Sequence, residues 1–322
     1  MINKISIRNP KRRFSELSTE VKCGRWLQNG VTVAGGNGQG NRLNQLNSAL
    51  GFCIDENQTI YIADQCNHRI IAWKKNATNG IIVAGGNGEG AGLDQLNYPI
   101  NVIVDEKTNT LIVADKGNHR VVRWPRENGV HGEIIISEIA CWGLALDSSG
   151  HYLYVSNCAR NEVRRWKLGE KEGVLVAGGN GRGDDLHQLD YPRCVTLDQN
   201  GSIYIADWNN HRVMKWIVGA KQGIVVAGGH GFGDSLQHTT SPNNIVVDKF
   251  DNLYLVEGGN DRVTRWLKTA TKGEVIVGNN GRGDKADQFN VSVGLVFDQQ
   301  NNLYVLDAKN QRVQKFQFNL FE

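Results

Sequence analysis

Short apolar runs that end on aspartate recur along the chain and indicate its secondary structure. Each run is followed by a turn and by a second alternating run, as in residues 59–64 (TIYIAD). The Asp-ending runs are FCID (52–55), VIVD (102–105), LALD (144–147), VTLD (195–198), IVVD (245–248) and LVFD (295–298). Alternation of apolar and polar residues predicts β-strands, and no stretch keeps the 3.6-residue apolar period of a helix. The pattern therefore predicts an all-β protein.

A third and a fourth strand complete each unit. The third strand appears as NHRIIAW (67–73), NHRVVRW (118–124), RNEVRRW (160–166), NHRVMKW (210–216), NDRVTRW (260–266) and NQRVQKF (310–316). The fourth strand leads into a glycine-rich linker that starts at Gly35, Gly85, Gly178, Gly228 and Gly278, with one copy missing in the middle. Six copies of a four-stranded unit predict a six-bladed β-propeller.

The two ends of the repeat array complement each other. Residues 30–36 (GVTVAGG) form a fourth strand with no complete blade before it, and the chain finishes at 316–318 on a third strand with no fourth. An unpaired strand would expose a row of backbone donors and acceptors. We therefore expect the N-terminal strand to complete the last blade and close the ring. The predicted organisation is a basic N-terminal tail (1–26), a single propeller domain (27–318) and a C-terminal end (319–322).

Composition agrees with a folded, weakly charged propeller. The chain has 322 residues, of which 40% are hydrophobic, and a net charge of +3 that is concentrated in residues 1–26. This apolar content excludes a disordered chain. No long apolar run or secretory signal is present, so we expect a cytoplasmic protein without a membrane span. The six cysteines show no CxxC pair, which favours free thiols.

An acidic and a basic residue recur five positions apart across the turn between the second and third strands. A carboxylate there can accept two parallel bonds from a guanidinium, which predicts a structural ion pair in five blades. In the third unit both positions change together, to Asn157 and Glu162. The predicted pairs are Asp64 with Arg69, Asp115 with Arg120, Asp207 with Arg212, Glu257 with Arg262, and Asp307 with Arg312. His68, His119 and His211 lie on the same turns, where we expect them to cap the turn.

A few residues depart from the repeat and are candidates for binding. Trp142 and Trp208 lie outside the repeated aromatic positions, and the junction over residues 130–143 lacks the long linker, which predicts a gap in the rim. The inner strands open onto the axis near Asn101, Asn244 and Arg193. A metal there would need carboxylates or histidines, which these positions lack. The sequence thus predicts a binding surface of Trp142, Trp208, Arg193, Asn101 and Asn244, with no catalytic residue, metal or cofactor.

The repeated pattern resembles the NHL-repeat family of six-bladed propellers. The resemblance covers residues 27–318 and rests on the succession of Asp, hydrophobic-Tyr-hydrophobic-Ala-Asp, Asn-His-Arg-Val and basic-Trp. It implies a non-catalytic, monomeric scaffold that binds a protein partner, as do the NHL modules that recruit substrates for ubiquitin ligases. Two alternatives stay open: single-stranded RNA binding, as in NHL domains of TRIM-type proteins, and a metal-dependent activity like that of the amidating lyase or the gluconolactonases.

Overall fold

The computed structural model describes residues 24–127 and 129–320, so most of the predicted basic tail lies outside the described residues. Six sheets of four antiparallel strands each are arranged as a propeller, which confirms the predicted fold. The strands β1 (Gly24–Trp26) and β2 (Val31–Gly35) precede the first blade. No helix in the described part of the chain is both long and apolar enough to cross a membrane.

Each blade is an up-and-down meander that runs outward from the axis. Blade 1 comprises β3 (Gly51–Ile54), β4 (Ile60–Asp64), β5 (Arg69–Trp73) and β6 (Ile81–Gly85). Blade 2 comprises β7 (Pro99–Asp105), β8 (Thr110–Asp115), β9 (Arg120–Pro125) and β10 (Glu133–Ile136). Blade 3 comprises β11 (Cys141–Leu146), β12 (Tyr152–Asn157), β13 (Glu162–Lys167) and β14 (Val174–Gly178).

The remaining blades follow the same order. Blade 4 comprises β15 (Pro192–Leu197), β16 (Ile203–Asp207), β17 (Arg212–Trp216) and β18 (Ile224–Gly228). Blade 5 comprises β19 (Pro242–Val247), β20 (Leu253–Glu257), β21 (Arg262–Trp266) and β22 (Glu274–Gly278). Blade 6 comprises β23 (Ser292–Phe297), β24 (Leu303–Asp307), β25 (Arg312–Phe316) and the N-terminal β2, and β26 (Phe318–Leu320) follows it. The helical residues within 24–127 and 129–320 form two short 3₁₀ turns, Gln65–Asn67 and Lys116–Asn118.

The ring closes through the N-terminal strand, as predicted. Strand β2 pairs antiparallel with β25, from Val31 opposite Lys315 to Gly35 opposite Arg312. A second contact was not anticipated: β1 pairs with β26, and the Trp26 indole donates a hydrogen bond to the Asn301 carbonyl at 2.8 Å. Both ends of the described chain are thus held on blade 6.

Large aromatic side chains fill the spaces between blades. The repeated aromatic residue at the end of the third strand is at most 6% exposed in every blade; the set is Trp73, Trp124, Trp166, Trp216, Trp266 and Phe316. Each such ring removes about 150–250 Å² from water. Because every apolar cluster combines residues of neighbouring blades, this packing holds adjacent sheets together.

The strand directions define two faces of the ring. The upper face, as we call it, carries the starts of the inner strands, the turns between second and third strands, and the linkers between blades, because Asp64 pairs with Arg69 and Arg69 with Gly85 at that end. The lower face carries the hairpins between first and second strands, such as the turn around Phe250.

The repeat arginines hold the linkers as well as the acidic residues. Arg69 donates from Nε to Asp64 at 2.7 Å and from Nη1 and Nη2 to the carbonyl oxygens of Asn41, Arg42 and Gln45. The guanidinium therefore makes one short bond to the carboxylate through Nε, not the two parallel bonds expected from the sequence. The equivalent ion pairs are Asp115 with Arg120, Asp207 with Arg212, Glu257 with Arg262, and Asp307 with Arg312.

Blade 3 lacks both the linker and the arginine. Strand β10 leads to β11 through residues 137–140 alone, so no linker carbonyls lie above the blade 3 turn. Glu162 at the arginine position accepts a bond from Arg164 Nε at 2.9 Å instead. The paired exchange to Asn157 and Glu162 thus coincides with the loss of the carbonyl groups that a repeat arginine would bind.

Candidate functional site

The axis opens on the upper face through a ring of equivalent residues, one from the start of each inner strand. All six line a cavity of about 20 Å³, the size of roughly one water molecule; they are Leu50, Ile100, Trp142, Arg193, Asn243 and Val293. Three members are aliphatic, whereas Trp142, Arg193 and Asn243 come from three consecutive blades. The mouth of the axis is therefore chemically asymmetric, and side chains nearly close it.

Local strand irregularities direct these side chains toward the axis. The register between β15 and β16 shifts between Pro192 and Val195, so Arg193 lies in a bulge, a feature that re-aims side chains. Trp142 lies in a matching shift of β11. The Arg193 backbone is held by the Ser156 hydroxyl, which donates to its carbonyl at 2.6 Å. A side chain at Gly143 would come within 2.3 Å of the same carbonyl oxygen, so only glycine fits there.

Aromatic rings surround the Arg193 guanidinium. Its central carbon lies 3.8 Å from the ring centroid of Trp208, 4.5 Å from that of Trp142 and 5.7 Å from that of Tyr191. Lys116 contributes a second cation, with Nζ 4.3 Å from the Trp142 ring centroid. Cations over aromatic faces are attracted by the ring quadrupole. We call Lys116, Trp142, Tyr191, Arg193 and Trp208 the axial cluster.

Arg193 forms no ion pair with any carboxylate in the described ranges. Its Nη1 donates a hydrogen bond to the Asn243 side-chain oxygen. Burial lowers the pKa of Arg193 to about 10, so the group remains a cation at neutral pH. Burial also raises the pKa of the Cys158 thiol and of the Tyr191 hydroxyl. These neighbours are therefore neutral near pH 7 and supply no counter-charge.

The other predicted binding residues lie at the mouth but outside this cluster. Asn101 and Asn244 line the axial cavity, and the Asn101 side-chain oxygen accepts the Val102 backbone N–H at 2.9 Å. Trp142, Trp208 and Arg193, which the sequence also selected, are brought together. Sequence reasoning missed Tyr191 and Lys116. Lys116 had a signal in the sequence, because it directly follows the acidic residue of its blade, as Trp208 does.

The turn histidines connect neighbouring blades. His68 and His211 accept, through Nδ1, the backbone N–H groups of Tyr98 and Ser241 in the next blade, at 3.3 and 3.1 Å. Asn161 accepts the Tyr191 N–H at 2.8 Å in the same way. His119, before the missing linker, is exposed. No group of three or more His, Cys, Asp or Glu that could hold a metal was found within residues 24–127 and 129–320.

Larger grooves occur on the outer surface of the ring. A groove of about 640 Å³ lies between the outer strand of blade 4 and the Leu267–Thr271 turn of blade 5, and one of about 560 Å³ lies between blades 1 and 2. Binding sites combine an apolar lining with a few convergent polar groups. The axial mouth, although its own cavity is small, brings the Arg193 guanidinium together with the rings of Trp142 and Trp208.

Three segments of the chain match a known sequence family. The sequence-family model described as NHL repeat matches residues 46–73, 189–216 and 289–316, which belong to blades 1, 4 and 6. No match was found among curated protein sequences.

Solved structures share the architecture at low sequence identity. A protein of unknown function from Bacteroides thetaiotaomicron gives a TM-score of 0.72 at 16% identity, over 92% of this chain and 77% of that one. A gluconolactonase from Xanthomonas campestris gives 0.63 at 12% identity, over 94% and 99%. Virginiamycin B lyase from Staphylococcus aureus gives 0.57 at 11% identity, over 87% and 98%. These similarities concern the fold alone.

Proposed function

The chain is a propeller of NHL repeats, and from that premise we propose that it is a non-catalytic module that binds a protein partner over the axial mouth of its upper face. The axial cluster is the observation that carries this proposal. Trp, Tyr and Arg dominate the residues that supply most of the binding energy at protein interfaces. Here two tryptophans, a tyrosine and an arginine lie together, half-buried, at one point of the surface.

The absence of a long linker before blade 3 supports the same location for the binding site. The long linkers raise the rim over the other blades, whereas the blade 3 turn leaves Ala159 and Arg160 exposed. Trp142 belongs to that blade. A partner that approaches over blade 3 therefore reaches the axial cluster without crossing a linker. In this role the module presents a bound protein to another domain or chain, and substrate recruitment for a ubiquitin ligase is the version that the NHL resemblance implies.

Single-stranded RNA fits the cluster less well. Sequence-tolerant RNA binding uses open aromatic faces and a continuous basic groove. Arg193 and Lys116 already lie over the Trp142 ring, and Arg193 lies against Trp208. The five long linkers around the mouth carry four Lys or Arg residues against eight Asp or Glu residues, which opposes a polyphosphate chain.

Selection from a phage-displayed random peptide library tests the proposal. We expect enriched peptides whose affinity falls about tenfold or more in Trp208→Ala. Phe250→Ala is the matched control, because it removes an aromatic side chain that is 43% exposed from the lower face. Peptides that bind both variants as well as the original protein, or a library without enrichment, would contradict the proposal.

A further inference from the structure

Arg193 uses its donors differently from the repeat arginines. In Arg69 and Arg212, Nε donates to an aspartate at 2.7 Å and both terminal nitrogens bind linker carbonyls. In Arg193, Nε is buried without a hydrogen-bond partner, and Nη2 bonds to no residue that the structure describes. The Nε–Nη2 edge is the fork with which arginine binds a carboxylate, and here it is unused.

A second donor at the same place also lacks an acceptor. The indole Nε1 of Trp208 is buried without a hydrogen-bond partner, and the Trp208 ring contacts the Arg193 guanidinium at 3.8 Å. Buried donors without acceptors are costly, because they lose water and gain no replacement. A ligand that brings acceptor oxygens and a negative charge would satisfy both the guanidinium and the indole.

The geometry favours a flat and compact anion. The central carbon of the guanidinium lies over the rings of Trp142 and Trp208, and the Nε–Nη2 edge is the part of the group that has no partner. A planar carboxylate matches that edge with two parallel hydrogen bonds. The axial cavity below has about 20 Å³, so the anionic group is held at the mouth and does not enter the axis.

The charges around the axial cluster favour a ligand with a single anionic group over a ligand with many. Lys116 adds a second cation to the cluster, and Cys158 and Tyr191 are neutral. The linkers farther out carry an excess of acidic residues. A single carboxylate is therefore attracted at the centre, whereas a strongly anionic ligand is repelled at the rim.

From these observations we infer that the axial cluster receives the carboxylate of one Asp or Glu side chain in a partner peptide, bound by the unpaired Nε–Nη2 edge of Arg193 and the Trp208 indole. The inference rests on the proposed function, since it names the group by which a protein partner is recognised. It assigns Arg193 as the residue that sets specificity.

Paired peptide libraries test the specificity. Labelled octapeptides with a fixed central Asp or Glu and random neighbours are compared by fluorescence anisotropy with libraries that have Asn or Gln at that position. We expect the acidic libraries to bind about tenfold more tightly. Arg193→Gln should abolish this preference, and Arg193→Lys, which keeps the charge without the fork, should lose most of it. Arg182→Gln, which changes an exposed arginine of the same face, should retain it.

A second measurement reads the site directly and does not depend on a peptide. Sodium acetate should shift the Trp208 indole resonance in a ¹H–¹⁵N spectrum, identified by its loss in Trp208→Phe. Sodium chloride at equal ionic strength should leave it in place, and inorganic phosphate should shift it less. This spectrum also verifies that Arg193→Gln is folded, because the buried tryptophans give dispersed resonances only in the native ring.

The outcomes separate the two proposals. Equal binding of acidic and amide libraries, with both weakened in Trp208→Ala, would overturn the carboxylate inference and leave the protein-binding function standing. An acetate shift without binding of any peptide library would support the anion site and contradict the protein partner. An unshifted indole together with a preference that survives Arg193→Gln would overturn the inference, as would stronger binding of single-stranded RNA at the same residues.

Discussion

Arg120 donates a hydrogen bond from Nη1 to the carbonyl oxygen of Ala91 at 2.8 Å, which ties blade 2 to the linker before it. The same side chain pairs with Asp115 through Nε at 2.7 Å. The repeat arginine thus fixes both the turn of its own blade and the approach from the previous one. Where the linker is missing, in blade 3, the arginine is replaced by Glu162.

The pairing of Asp207 and Arg212 predicts strong coupling between two substitutions. Arg212→Ala leaves a buried carboxylate without its cation and should lower the free energy of unfolding by about 3–5 kcal/mol. Adding Asp207→Ala should cost less than it does alone, because no unpaired charge remains. Urea denaturation of the four proteins in the cycle measures this. Lys167 with Glu170, whose side chains are both largely exposed, is the control and should couple far more weakly. Additive losses at the buried pair would contradict its role.

Removal of residues 27–40 should lower the melting temperature sharply. The deletion takes away β2, so β25 becomes an unpaired edge and the ring opens at blade 6. A chain that starts at Gly24 keeps both N-terminal strands and serves as the control. Circular dichroism during heating measures the effect, and an unchanged melting curve for the deletion would rule out closure by β2.

His211 predicts a pH dependence of stability. Burial lowers the pKa of His211 below its ordinary value of 6.5, and the neutral Nδ1 accepts the Ser241 N–H. The unfolded chain therefore binds the proton more readily. This contribution to stability is complete above pH 6.5 and is lost as the pH falls below it.

The equivalent position in blade 3, Asn161, indicates which substitution tests this prediction. His211→Asn copies Asn161, which accepts the equivalent N–H without titrating. Its melting temperature should decline less than that of the original protein as the pH falls below 6.5. His151→Asn changes an exposed histidine and should follow the original protein. Parallel declines for all three proteins would refute the assignment.

Two tryptophans of blade 4 should differ in their importance for stability. Trp216 is 1% exposed, and Trp216→Ala should cost about 3–5 kcal/mol of the free energy of unfolding. Trp208 is half-buried beside an unpaired guanidinium, so Trp208→Ala should cost about 1 kcal/mol or less, because it also restores water to Arg193. Chemical denaturation compares the two, and a similar loss for both would assign Trp208 to the core.

The fold was readable from the sequence because each blade repeats the same strand and turn signals, and the complementary ends required closure. Strands β1 and β26 were not predicted, since three residues are too short to show alternation. Trp142 and Trp208 were found because they depart from the repeat, and Arg193 because it lies where an inner strand opens onto the axis. Tyr191 escaped notice because Tyr98 occupies the same position in blade 2, and only the curvature of the ring places it beside Arg193.

The pairing of Gly24 with Leu320 has a mechanical consequence. Neighbouring strands lie about 5 Å apart, so a load applied between the two ends of the described chain acts first on that short ladder and then on β2. Tension on the ends would therefore separate β1 from β26 one residue pair at a time, and then β2 from β25. The ring would open at blade 6 before the load reached the sheets of blades 1–5.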